Sequence, residues 1–218
     1  ADPLFAHPYI DKDEWRDAPA KHRYIHGGFK GTDMRFSFYM PPKDNFARHF
    51  FQYVTPVPDN ENLAQTPGDD KIGFSIDSGA YFVETNGGGA GATAGPAFRA
   101  DPTIGAFRAN AAAAEFSRKV ASEMYGPGKI YGYIYGGSGG GYRTMGSIEN
   151  TATWDGAVPF VLGTPASRAS MLAAARRARP TALNWASTMW CGSRPASTRT
   201  CNATRALVLS VSNTWRVS

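Results

Sequence analysis

The stretch KIYGYIYGGSGGGYRTMGSIENTATW, residues 129–154, decides how the rest of the chain is read. It opens on an apolar, β-rich run (KIYGYIY) and closes on a segment with helical spacing (GYRTMGSIENTATW). Between them a run of glycines encloses a single serine, Ser138. Such a run serves an activated nucleophile, a phosphate cradle or a flexible connector, and the three make different demands on neighbouring residues.

Gly136-Gly137-Ser138-Gly139-Gly140 fits the pattern G-x-S-x-G. In a chain with 24 glycines the five letters alone are weak evidence. Their context is stronger, because a strand must precede such a serine and a helix must follow it, lifting the hydroxyl above the sheet on a sharp, strained turn. Side chains at 136 and 140 would collide across that turn, whereas glycine at both 137 and 139 looks more permissive than the turn requires. Ser138 is therefore the candidate nucleophile. A serine hydroxyl needs a neighbouring base, and the tetrahedral oxyanion needs preorganised N–H donors. The N–H of Gly139 is one candidate donor, at a helix start where the dipole favours negative charge. A second is expected after an earlier strand, in YVTPVPD (53–59), where Pro56 and Pro58 have no N–H. That leaves Thr55 or Val57, and Thr55 is carried as the oxyanion candidate.

The phosphate cradle fails on spacing. A G-x-G-x-x-G fingerprint begun at Gly137 needs glycine where Tyr142 stands, and no Walker lysine is followed by Ser or Thr. The connector reading remains open.

Around this stretch the chain alternates strands and helices. Residues 1–34 read as an irregular lead-in rich in turn formers. RFSFYMPP (35–42) alternates like a half-buried strand, HFFQYVTPVP (49–58) is apolar enough for a strand covered on both faces, and AYFVETNGGGAGATAGP (80–96) runs from a strand into a glycine-rich loop. In residues 101–126 the alanine density and the spacing of Ile104, Phe107, Ala111, Phe116 and Val120 predict a helix ending at Gly126-Pro127-Gly128. GAVPFVLGTP (156–165) closes the series as another strand. The product expected is an α/β fold, a mostly parallel sheet with helices on both faces, in a core spanning 35–165.

Composition changes abruptly after Pro165. All 18 acidic residues lie in 1–165 with 15 of the 23 basic ones, a net charge of −3, whereas 166–218 carry eight arginines and no Asp, Glu, Lys or His, a net charge of +8. The basic balance thus belongs to the tail, and the first 165 residues offer no cluster of basic and stacking residues for nucleic acid. Segment 166–218 reads as a basic appendage or as translation out of frame from GC-rich coding sequence, and the other two frames after codon 165 distinguish these. Cys191 and Cys201 lie there without a nearby His or carboxylate, a poor metal site that reads as two incidental thiols or a small disulfide loop. No window is apolar enough for a membrane span. The chain starts at Ala1, so compartment stays open, with secretion or the periplasm implied if a leader was removed. Oligomeric state is not legible.

Residues 128–165, GKIYGYIYGGSGGGYRTMGSIENTATWDGAVPFVLGTP, resemble the nucleophile-elbow region of α/β-hydrolases, most of all the tannase and feruloyl-esterase branch. There the nucleophile helix is likewise followed by a DG step into a strand ending in a small-residue-Pro turn, matched by Asp155-Gly156 and Gly163-Thr164-Pro165. The similarity is clearest over 101–165. It implies acyl transfer from a small-molecule ester to water through a Ser-Asp-His triad, with Ser138 as nucleophile, Gly139 as oxyanion donor, and no metal or cofactor.

That triad follows chain order serine, acid, histidine. After Ser138 the only carboxylates are Glu149 and Asp155, and no histidine follows. His7, His22, His26 and His49 all lie upstream and read as surface or loop residues. YIHGGF around His26 is similar to an oxyanion loop but precedes the first clear strand, and Asp77 in SIDSGAYF reads as a turn former. The expectation is thus a serine hydrolase of esterase type, incomplete at its C-terminus and inactive for lack of a base. The alternatives are a non-catalytic binding protein on the same scaffold and, more remotely, a nucleotide-binding α/β domain.

Overall fold

A computed structural model of the chain describes residues 2–89 and 101–162. The glycine-rich run 90–96, the Gly163-Thr164-Pro165 turn, the basic tail 166–218 and both cysteines lie outside the described residues. Residues 1–161 form one compact unit.

Among the described residues seven strands make one sheet: β1 (Pro8–Arg16), β2 (His22–Phe29), β3 (Arg35–Met40), β4 (His49–Tyr53), β5 (Ala80–Thr85), β6 (Tyr131–Gly137) and β7 (Gly156–Phe160). Their order is β1-β2-β3-β5-β4-β6-β7. Strands β1, β2 and β3 pair antiparallel, as do β3 and β5, whereas β5, β4, β6 and β7 are parallel neighbours. Five of the seven strands, β2 and β4 to β7, therefore run in one direction, which is the mostly parallel sheet expected. Helices α1 (Lys71–Asp77), α2 (Ala109–Tyr125, entered through a π turn at Ile104–Arg108) and α3 (Gly139–Asn150) connect them.

The expected irregular lead-in is instead the antiparallel pair β1–β2. Its turn formers are confined to 17–21, and β1 carries the charges of a solvent-facing edge strand. A side chain at Gly27 would strike the Tyr9 carbonyl oxygen beside a bulge at Ile10/Lys12, so a glycine that looks like a turn signal marks a close backbone approach inside the sheet. The short helix α1 also goes unread in the sequence.

Alternation along each strand sends side chains to two separate cores. On one face Phe36, Phe38, Phe50, Tyr81 and Val83 pack beneath α2, whose buried Ala109, Ala113, Ala114 and Ala121 let its backbone approach the sheet closely. The Phe36 and Phe38 rings stack at 4.5 Å, with Phe116 of α2 against both. On the other face Tyr24, Tyr39 and Phe82 meet Ile72 and Ile76 of α1.

A buried carboxyl belongs to that second face. Glu84 accepts hydrogen bonds from Tyr39 Oη at 2.6 Å and from the Ala64 N–H at 3.1 Å, fastening the 59–70 loop to β5. Burial pushes its pKa up to about 8, although both hydrogen bonds favour the ionised form. The folded state then holds a proton that the unfolded chain releases near its ordinary value of 4.5, so the stability contribution is full below that value and is lost as pH rises toward about 8. Urea midpoints measured across this interval fall with pH in the wild type, and Glu84→Gln flattens the decline. Parallel pH profiles in the two proteins would show that Glu84 is ionised in the fold.

The sheet reverses its winding between β4 and β6: β4 passes through α1 to β5 on one side, whereas β6 passes through α3 to β7 on the other. Ligand crevices in open α/β sheets form at such switch points, outside the carboxyl ends of the strands. The two segments that leave those ends here are 54–58 and 138–140.

Candidate active site

Ser138 closes β6 and is the N-cap of α3, with φ 55° and ψ −122°. A non-glycine residue held at positive φ costs about 1–3 kcal/mol and persists only where the surroundings over-determine it. The N–H of Ser138 donates to the Phe160 carbonyl at the end of β7 (3.1 Å), and its carbonyl accepts from the Tyr142 N–H (3.3 Å). Its side chain is exposed, and its hydroxyl makes no capping bond to the helix. A serine at an N-cap ordinarily spends that oxygen on the first helical turn; here the oxygen is left to face solvent. The Gly139 N–H is among the orphan donors of the first turn of α3.

The flanking glycines are all enforced. A Cβ at Gly136 would lie 2.6 Å from the Val54 carbonyl oxygen and 2.7 Å from the Gly140 backbone, as the collision across the turn requires. Positions 137 and 139 are tighter than the sequence reading allows: a Cβ at Gly137 would sit 2.6 Å from the Phe160 ring, and one at Gly139 would strike the Pro56 carbonyl oxygen. A Cβ at Gly140 would strike the carbonyl oxygen of Val54.

Those contacts also give the orientation of the loop after β4. Val54 continues the ladder to β6, its N–H donating to the Tyr135 carbonyl at 2.9 Å. The carbonyls of Val54 and Pro56 then point at Gly140 and Gly139. Both peptides are trans, so the N–H groups of Thr55 and Val57 are turned away from the elbow. Thr55 lies beside the turn at Ser138, but the groups it offers are not the N–H: its carbonyl accepts from Arg143 Nη1 (3.0 Å) and its hydroxyl donates to the Val57 carbonyl (2.5 Å). An open cleft of about 460 Å³ lies beside this loop, lined by Tyr53, Thr55, Pro56, Asp59, Asp69 and Lys71 among others.

No family model matches the chain, and no curated protein matches it. Solved structures do. An esterase from Aspergillus oryzae superposes with a TM-score of 0.54 at 14% identity over 70% of this chain and 34% of its own. Feruloyl esterase B from Aspergillus oryzae gives 0.52 at 15% identity over 70% of this chain and 33% of its own. The chain has the α/β-hydrolase fold. It spans about a third of the length of these two structures.

In an α/β-hydrolase fold the elbow serine needs an acid and a histidine, and every His, Asp and Glu of this chain falls among the described residues. His26 lies within β2, bound through Nδ1 to Asp11 (2.5 Å) and through Nε2 to Glu61 (3.0 Å). It is therefore part of a strand and of a hydrogen-bonded cluster with two carboxylates, not of an oxyanion loop. Four strand spacings separate β2 from β6, about 19 Å. His22, read as a surface residue, is buried at the start of the same strand with Nδ1 against the Ala20 carbonyl at 2.7 Å, and burial lowers its pKa. His7 precedes edge strand β1, and His49 pairs in register with Tyr131 at the opposite end of β6 from Ser138. Asp155 is opposed by burial, yet its pKa is held low, first by the hydrogen bond it accepts from the Gly132 N–H at 2.9 Å and then by the neighbouring cations Lys129 and Arg118. Gly132 is six residues from Ser138 along β6, so Asp155 stands about 20 Å from the elbow. Glu149 is in the last turn of α3, about 15 Å along the helix. Asp77 ends α1, on the side of the sheet where β5 begins. The fold here brings together Ser138, the helix-start N–H of Gly139 and the β4 loop, with no histidine near them. Sequence reasoning passed over Arg143, whose only signal is a lone cation among the small residues of GGGYRTMGS.

Proposed function

We propose that this chain carries the nucleophile of a serine hydrolase of esterase type, with Ser138 attacking the ester carbonyl and the Gly139 N–H receiving the developing oxyanion. The observation that carries this reading is the backbone of Ser138, a strained positive-φ conformation at the switch point of the sheet with the hydroxyl exposed and uncommitted to the helix. In the reaction, the oxygen–carbon bond to the acyl group forms as the hydroxyl proton leaves to a base, the alcohol departs, and water then releases the acid. The base is the part this chain does not supply beside Ser138. A second oxyanion donor from Thr55 or Val57 requires one of those peptides to turn over.

The testing experiment treats the folded chain with a fluorophosphonate and maps the adduct by mass spectrometry, expected on Ser138. Because no imidazole neighbours Ser138, added imidazole accelerates adduct formation in proportion to its neutral concentration. A rate indifferent to imidazole would mean that another base already serves the serine.

A second reading, a binding protein on the same scaffold, is favoured by the distance of all four histidines from the elbow. Its signature is a folded chain that forms no adduct with or without imidazole. The nucleotide reading finds little support, since Tyr142 stands where a dinucleotide fingerprint needs its third glycine and no Walker lysine precedes Ser or Thr.

A further inference from the structure

Arg143 lies on α3 one helical turn beyond Gly139, about 6 Å along the axis. Its guanidinium has no carboxylate partner among the described residues, and loss of water pushes its pKa down to about 10, so it stays charged at neutral pH. A part-buried cation is ordinarily paired, because leaving it unpaired is costly. Here its fork is filled by main-chain carbonyls from three separate segments. Nη1 donates to Thr55 O (3.0 Å), Nη2 to Gly87 O (3.2 Å) and Nε to Gly105 O (2.8 Å).

The three carbonyls come from segments at the carboxyl end of the parallel strands. Thr55 begins the loop after β4, Gly87 the loop after β5, and Gly105 lies in the turn that leads into α2. The Gly87–Gly88 peptide is gripped from its other side as well, the Gly88 N–H donating to Asn86 Oδ1 at 3.2 Å, and any Cβ at 87 would strike the guanidinium. Fixing the Thr55 carbonyl fixes the Thr55–Pro56 peptide, and through it the Pro56 carbonyl packed on Gly139. A path of one hydrogen bond, backbone and close packing thus runs from Arg143 to Gly139, beside the proposed nucleophile.

We propose that Arg143 is the positioning residue of this crevice, a single guanidinium that ties the β4 loop, the β5 loop and the entry to α2 onto the helix carrying Ser138. Its effect on chemistry rests on the reading of Ser138 as a nucleophile; its effect on the loops does not. The planar fork is what the role needs, because three acceptors in different directions are met at once, which the point charge of lysine cannot do. The unneutralised charge also adds to the positive start of α3 and favours an anion at Ser138.

The test compares Arg143→Lys and Arg143→Ala with the wild-type chain in two measurements. Hydrogen–deuterium exchange is expected to quicken in 53–59, 85–89 and 103–108 in both variants while β1 to β3 keep their protection. Fluorophosphonate labelling is expected to fall roughly 100-fold, the scale of a misplacement near 1 Å. Guanidinium at millimolar concentration, far below the denaturing range, is expected to restore part of the rate in Arg143→Ala, and sodium at equal ionic strength is not. Unchanged exchange in the three segments would overturn the positioning role whatever the labelling shows. Faster exchange with unchanged labelling would overturn its link to the nucleophile, and a wild-type chain that never labels would strike the Ser138 reading while the exchange data still decide the loops. Uniformly faster exchange, β1 to β3 included, would reduce Arg143 to a general stabiliser.

Discussion

Ser138→Ala is expected to abolish fluorophosphonate labelling while leaving the unfolding free energy within about 0.5 kcal/mol of wild type. The first half follows from chemistry, since a methyl group cannot form the phosphorus–oxygen bond. The second follows from the structure, because the hydroxyl is exposed and caps no helical N–H, so its removal orphans no donor. A companion variant sharpens the result. Ser138→Gly also removes the nucleophile, but it relieves a residue held at φ 55°, and it should unfold at a higher temperature than Ser138→Ala. A serine in an ordinary glycine connector would show neither pattern: labelling would be absent from the start, and glycine would bring only added chain entropy. The pair is read by adduct mass and thermal melting, and an Ser138→Ala protein that labels at the wild-type rate places the reactive group elsewhere.

What the sequence discloses and what it hides have physical causes. The parallel strands were legible because each is a short, largely apolar run, and the strand-to-helix turn at Ser138 because a glycine-serine run sits between a strand pattern and a helix pattern. The pair β1–β2 was hidden because an edge strand keeps charges, as in DKDEWR, and because Gly27 is required by the Tyr9 backbone and not by a turn. Helix α1 spans seven residues with no side-chain cap, too short for a periodic signal. Around the site, the lack of a base after Ser138 could be read directly from the positions of the four histidines. The direction of the β4 loop could not: Thr55 stands where a donor is wanted, yet peptide orientation is set by the contacts of Val54 and Pro56 with the elbow glycines, and no residue pattern encodes it. Arg143 was equally silent, since its partners are main-chain carbonyls that leave no trace in side-chain identity.

Gly140→Ala tests whether those contacts hold the elbow in place. The added methyl would strike the Val54 carbonyl oxygen and lie 3.1 Å from the Val54 carbonyl carbon and 3.2 Å from that of Thr55. All three neighbours are backbone, tied on one side by the Val54-to-Tyr135 bond and on the other by Arg143, so the methyl has no flexible side chain to push aside. The loop and the start of α3 must separate, at a cost of about 1–3 kcal/mol for overpacking and with labelling of Ser138 slowed roughly 100-fold by the displaced serine. Gly146 supplies the control on the same helix: a Cβ there meets nothing within 4 Å, and its backbone is helical. Gly146→Ala should therefore stabilise the protein by about 0.5–1 kcal/mol through reduced unfolded-state entropy and better helix propensity, with labelling unchanged. Opposite shifts in melting temperature for one substitution at two positions of a single helix separate close packing at the elbow from any general effect of alanine. If Gly140→Ala instead melts and labels like Gly146→Ala, the β4 loop does not press on the elbow, and the orientation deduced for the Thr55 and Val57 N–H groups falls with it.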